Sequence, residues 1–360
     1  MYADQKNYIF VKYTAYWSVA QTATLTLVLF MTHNYVIYLC VQVLFVYASN
    51  FQKSFVAQKR YPFIGKKVKL PKAKRNGIFK DVGSAFLYKI ANVLITATDN
   101  TLISVIVSTE MVGFYSNYQI VTSRLGTIVS TVFSSLITSL GNLLTNESDE
   151  RRFHVFQIMQ SVSLILSTFF VTCIFLLEED FIRVWLGEDF VLGTLALVAI
   201  VFNFYFAISI MPITTFREAA GLFRKTKFVM LWTAFFNLML SILLGRQIGL
   251  PGILFATSIS KMLTSFWYEP ILLFKEYFKK PCYLYFLQML KGLGITLLSV
   301  AVSWSISHWI VPGSWLGLIF KGIVVGTVSL ITTIMCYRRT PGFKLLTNKV
   351  KTIIAGIKKK

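Results

Sequence analysis

The stretch Val82–Val107, VGSAFLYKIANVLITATDNTLISVIV, is long and apolar enough to cross a bilayer. Roughly 20 residues at 1.5 Å each match a hydrocarbon core of about 30 Å. Yet it carries Lys89, Asn92, Thr96, Asp99 and Asn100, which fall at offsets 0, 3, 7, 10 and 11. That spacing gathers all five within about a third of a helix circumference. A charge at the bilayer centre costs about 2.5–3.5 kcal/mol even on lenient insertion scales. The seam is therefore expected to face other helices or water, not lipid.

Composition extends this reading to the whole chain. Of 360 residues, 55% are hydrophobic, 16% aromatic and only 14% charged, and the mean hydropathy is +0.64. Soluble domains carry about a quarter charged residues, so the expected class is an all-α polytopic membrane helix bundle. Apolar segments near 13–32, 34–51, 82–107, 112–140, 153–177, 191–216, 228–245, 251–274, 285–311 and 314–337 give about 10 transmembrane helices. The net charge of +21 comes from bases placed between these runs, not from a soluble basic module, which argues against nucleic acid as a partner. The connection 52–81 alone holds ten Lys and Arg. Alternating outward from it leaves only Arg183 and Arg246 on the far side, so both termini are expected in the cytoplasm.

Four cysteines show no CxxC spacing and the three histidines are scattered, so neither a metal site nor a cofactor is expected. The start, MYADQKNY, has no apolar core of a signal peptide.

The fourth apolar segment carries a second seam. Asn117, Arg124, Thr127, Thr131, Ser135 and Thr138 share one helical face, and Arg124 is too deep to snorkel readily. Ser108–Met111 is a short connection, so the two seams lie on antiparallel neighbours with Asp99 and Arg124 at similar depth. Either these two pair and staple the helices, or they line a hydrated cavity. In the eighth segment Lys261 is a further cavity cation, or the partner of a buried acid; Glu269 lies on the same segment. Pro212 is expected to kink the sixth. The stretch EEDFIRVWLGEDF (178–190) reads as an outer loop with an aromatic anchor, Lys321 as a snorkelling base, and Gly322/Gly326 as a close-packing pair in a peripheral last helix.

Several stretches together resemble one family. DVGSAFLYKIANVLITATDNTLIS (81–104), FIRVWLGEDF (181–190), TFREAAGLFRKTKF (215–228) and the run 236–270 are similar to the second lobe of Wzx-type polysaccharide flippases. These belong to the multidrug/oligosaccharidyl-lipid/polysaccharide (MOP) exporter superfamily. The resemblance implies a MATE-like second lobe that is complete at 82–275 and preceded by a basic inter-lobe linker with a surface helix at 59–81. Residues 1–58 match only the last two spans of a first lobe, about four spans short, and 276–360 hold two extra spans and a basic tail.

The implied function is flipping of undecaprenyl-pyrophosphate-linked repeat units for capsule, O-antigen or exopolysaccharide across the bacterial plasma membrane. The implied partners are the polyprenyl-linked oligosaccharide, membrane lipids, H+ or Na+ at Asp99, and polymerase or export machinery. The expected cavity lining is Lys89, Asn92, Thr96, Asp99, Asn100, Asn117, Arg124, Thr127, Thr131 and Lys261. The alternatives are a cation-coupled small-molecule exporter of the same superfamily and a truncated, non-transporting remnant. The outer connections are short and no acid, base or nucleophile constellation can be drawn, so an enzyme is not expected.

Overall fold

A computed structural model describes residues 8–61, 63, 71–345 and 347, and every regular element in them is helical. Residues 1–7, eight residues of the linker expected at 59–81 (62 and 64–70), residue 346 and the basic tail from 348 lie outside the described residues. The chain divides into two units, Met1–Gly77 and Ile78–Lys360.

The first unit is a hairpin of α1 (Tyr8–Thr32) and α2 (Tyr35–Arg60). His33 takes a left-handed conformation (φ 47°). Asn34 then starts α2, its side chain accepting hydrogen bonds from the Val36 and Ile37 amides, as a helix-capping residue does. Trp17 donates to Gln52 across the pair.

In the second unit α3 (Lys72–Leu102) runs without a break from the basic linker through the polar seam and ends in a π-helical turn, Ile103–Val107. Ser108 caps α4 (Thr109–Ser135), accepting from the Met111 amide at 3.1 Å. After α5 (Ile137–Asn146) comes α6 (Asp149–Leu186), 38 residues long and so about 57 Å. This is the organising helix, with its buried face against α7 (Thr194–Ser209), α12 (Tyr283–Ser307) and α13 (Trp315–Tyr337). The expected bend before Pro212 is present: α7 and α8 (Met211–Ala219) meet at 40°. Between α9 (Phe223–Ile248) and α10 (Leu250–Leu263), Gly249 turns at φ +66°. A second break at Thr264 separates α10 from α11 (Ser265–Leu273).

All ten expected apolar segments fall on these helices. Among the described residues seven single helices are long and apolar enough to span a membrane, and the bent α7–α8 pair makes an eighth. The two remaining segments, on α1 and on the broken α10–α11 pair, are not among them. Three ion pairs gather the basic connections at one end of the bundle: Arg224–Asp81 at 2.5 Å, Lys279–Asp149 at 3.1 Å, and Lys225–Glu276.

Three expectations are corrected. The sequence 178–190 is not a loop down its whole length, because α6 continues to Leu186 before Gly187 (φ 106°) ends it. Lys321 does not snorkel: it donates to Asp180 of α6 at 2.5 Å, both side chains nearly enclosed. The last two helices are not peripheral. They join α6 through buried hydroxyls, Thr168 to Thr296 at 2.9 Å and Thr172 to Ser299 at 3.0 Å, with Ser299 reaching Ser329 at 3.3 Å. Of the glycine pair, Gly322 faces α6 only at ordinary contact distance, a Cβ there meeting Leu177 at 4.0 Å, and a Cβ at Gly326 would meet nothing within 4 Å. Small hydroxylated residues on facing helices give close approach together with a hydrogen bond, which explains why the glycine pair is not needed.

Candidate functional site

The seam on α3 is set by what its neighbouring face buries. Ala91 and Ile95 are fully enclosed and pack on Met230 of α9. This turns Lys89, Asn92 and Thr96 outward, exposed, while Asp99 and Asn100 near the end of the helix are half-buried. On α4, Tyr118, Val129 and Phe133 face the core. Arg124, Thr127 and Thr131 lie exposed on another face, with Asn117 half-buried.

The hydroxyls of the seam satisfy their own donors within the helix. Thr127 donates to the Ser123 carbonyl and Thr131 to the Thr127 carbonyl, each at 2.7 Å, and Thr96 to the Asn92 carbonyl at 3.2 Å. Their oxygen lone pairs therefore remain free to accept from a ligand or from water. Asn117 likewise donates to the Gly113 carbonyl at 3.2 Å.

The stapling alternative for Asp99 and Arg124 does not hold. No ion pair among the described residues includes Arg124. Asp99 turns to α10, where the Thr257 hydroxyl donates to its Oδ2 at 3.0 Å. Thr257 in turn accepts from Asn237 Nδ2 of α9 at 3.1 Å. Three carbonyl or carboxylate oxygens of this neighbourhood, Asp99 Oδ1, Asn100 Oδ1 and Asn237 Oδ1, are buried without a hydrogen-bond partner. Lys261, one turn beyond Thr257 on α10, is half-buried and within electrostatic reach of Asp99 and Glu269. It pairs with neither at ion-pair distance among the described residues.

The partner of Glu269 comes from the stretch 215–228. Arg217 of α8 is 2% exposed and donates to Glu269 of α11 at 2.9 Å, and its guanidinium lies 4.1 Å from the centre of the Tyr88 ring of α3. The signal available in the sequence was the acid: a lone Glu in an apolar segment calls for a cation. Asn237 and Thr257 were visible as polar residues in apolar runs, but nothing local links either to Asp99.

The arrangement is a bundle of helices long and apolar enough to span a membrane, with exposed polar seams on α3 and α4 and buried, unpartnered oxygens where the α3 seam meets α9 and α10. It defines a polytopic, all-helical membrane protein. Over residues 5–192 the chain matches a family model described as polysaccharide biosynthesis protein, and it belongs to that family. No curated protein and no solved structure matches it.

Proposed function

We propose that this protein is a flippase, not an enzyme, that moves undecaprenyl-pyrophosphate-linked oligosaccharide across the bacterial plasma membrane with both termini in the cytoplasm. The observation that carries the reading is Arg124: exposed, without an ion-pair partner among the described residues, and midway along an apolar helix whose neighbouring seam residues present acceptors. A polyprenyl tail can stay in lipid, but each sugar hydroxyl or phosphate taken through hydrocarbon unpaired costs several kcal/mol. A continuous polar stripe removes that cost. Arg124 and Lys89 supply charge-assisted bonds for pyrophosphate or acidic sugars, and Thr96, Thr127, Thr131, Asn92 and Asn117 accept from or donate to hydroxyls.

Asp99 with Asn100, Asn237 and Thr257 is the place for a coupling H+ or Na+. Its unpartnered oxygens are hard donors of the kind small cations prefer, and it joins three helices whose relative motion would expose or close the seam. The family supports a role in polysaccharide biosynthesis; the flipping step is our inference. In cells whose surface polysaccharide depends on this chain, Arg124→Ala is expected to abolish that polysaccharide at unchanged protein level, with Arg124→Lys partly restoring it. Normal polysaccharide in the alanine variant would remove the reading.

A further inference from the structure

Near the end of α6 remote from the basic connections, Glu178 is 2% exposed, and neither of its carboxylate oxygens has a hydrogen-bond partner. It lines a cavity of about 250 Å³ between α4, α6 and α13, whose other walls include Val121, Leu125, Leu177 and Leu318. The cations nearby are engaged elsewhere. Arg183 holds Asp180 at 2.9 Å and Glu188 at 2.5 Å, and Lys321 of α13 holds Asp180 at 2.5 Å. The remaining titratable groups facing Glu178 or its cavity are Tyr115 and Tyr118 of α4 and Glu179 and Cys173 of α6. Tyr118 is fully buried and accepts from the Leu192 amide, and Glu179 adds only negative charge.

An ionised carboxylate in such a place has neither a hydrogen bond nor a counter-charge. Born solvation strongly disfavours that state, and a buried group neutralises instead. The cavity opens outward between the helices, and its walls other than the carboxylate are apolar, so they offer water no hydrogen-bond partner. Ionising Glu178 would draw water in, and water would in turn hold the charge. Two self-consistent states follow, one protonated and dry, the other ionised and hydrated.

We propose that Glu178 is a proton-binding site, occupied while α4, α6 and α13 enclose it and emptied when that cavity opens to water. Opening of α4 against the α6–α13 pair is then tied to proton release, whatever the cargo. The proposal does not rest on the flippase reading, and its test reads the proton itself.

The test is infrared titration of the full chain in lipid nanodiscs. At neutral pH the spectrum is expected to hold a protonated-carboxyl C=O band that Glu178→Gln removes and Glu178→Asp keeps. Identical spectra of the wild type and Glu178→Gln in that region would overturn the proposal. Leu318→Lys gives an independent check, since a cation placed in the cavity should ionise Glu178 and abolish the same band; its persistence would count equally against the idea. Cys173 lines the same cavity and reports the opening. In a chain with Cys40, Cys282 and Cys336 changed to Ser, alkylation of Cys173 at alkaline pH should be several-fold faster than when Glu178→Gln is added. Equal rates would refute the link between proton loss and opening.

Discussion

Asp99 and Arg217 mark the two ends of what single residues reveal. The helical period places Asp99 on a polar face, and the structure keeps it there, but its partner Thr257 is 158 positions away; periodicity names a face and not the neighbour across from it. The inward turn of Arg217 is hidden from the sequence for a related reason. Positive charge at the end of an apolar run reads as a headgroup anchor, whereas here α8 turns the side chain inward over Tyr88 to meet Glu269. Removing one member of so enclosed a pair leaves the other uncompensated, at a cost of about 3–5 kcal/mol. Arg217→Ala is therefore expected to lower the unfolding temperature of the protein in detergent sharply. Arg217→Met combined with Glu269→Leu should recover most of the loss, because well-packed apolar residues can replace a buried pair. Asp99→Asn is expected to behave differently. It keeps an acceptor for Thr257 and so retains stability, but it removes the charge; cation-dependent protection of the purified protein against heat should disappear.

At the level of elements, boundaries set by proline were legible and those set by packing were not. The bend at Pro212 follows from a missing amide and ring sterics, whereas the break at Thr264 (φ −130°, ψ −88°) has no local signature in the sequence. The acids of 178–190 look like a loop because charge opposes burial, yet Asp180 is held by two cations and the helix runs on. Glycine pairs misled in the same way. A Cβ on Gly252 would sit 2.2 Å from the Leu244 carbonyl oxygen, a backbone atom that cannot move aside, while one on Gly326 would meet open space. Gly252→Ala is thus expected to loosen the α9–α10 turn and cut the yield of folded protein, and Gly326→Ala to leave yield and melting temperature within error. Fluorescence-detected size-exclusion chromatography would compare them directly.

For the whole molecule, fold class was legible because lipid demands it: long apolar runs must satisfy their backbone internally, and helices do so. The polar seams of α3 and α4 were legible as faces, since a charged residue on an apolar helix is conspicuous. Which helices close around them was not, because that depends on contacts far apart in the chain. If the stripe is hydrated, cysteines introduced at 96, 127 and 131 should react rapidly with a membrane-impermeant thiol reagent, and one at half-buried 100 slowly. Uniformly inert thiols at all four positions would leave no aqueous path. The hydroxyl contacts between α6 and the C-terminal helices bear on how the protein is made. Thr168 and Thr172 emerge from the ribosome more than a hundred residues before Thr296 and Ser299, the groups that answer them. Until that synthesis is complete, α6 stands in the membrane with polar positions facing lipid, a recognisable mark for membrane proteases. A chain stopped after Phe278 would carry that mark permanently, so cellular quality control would be the first to notice the missing C-terminal helices.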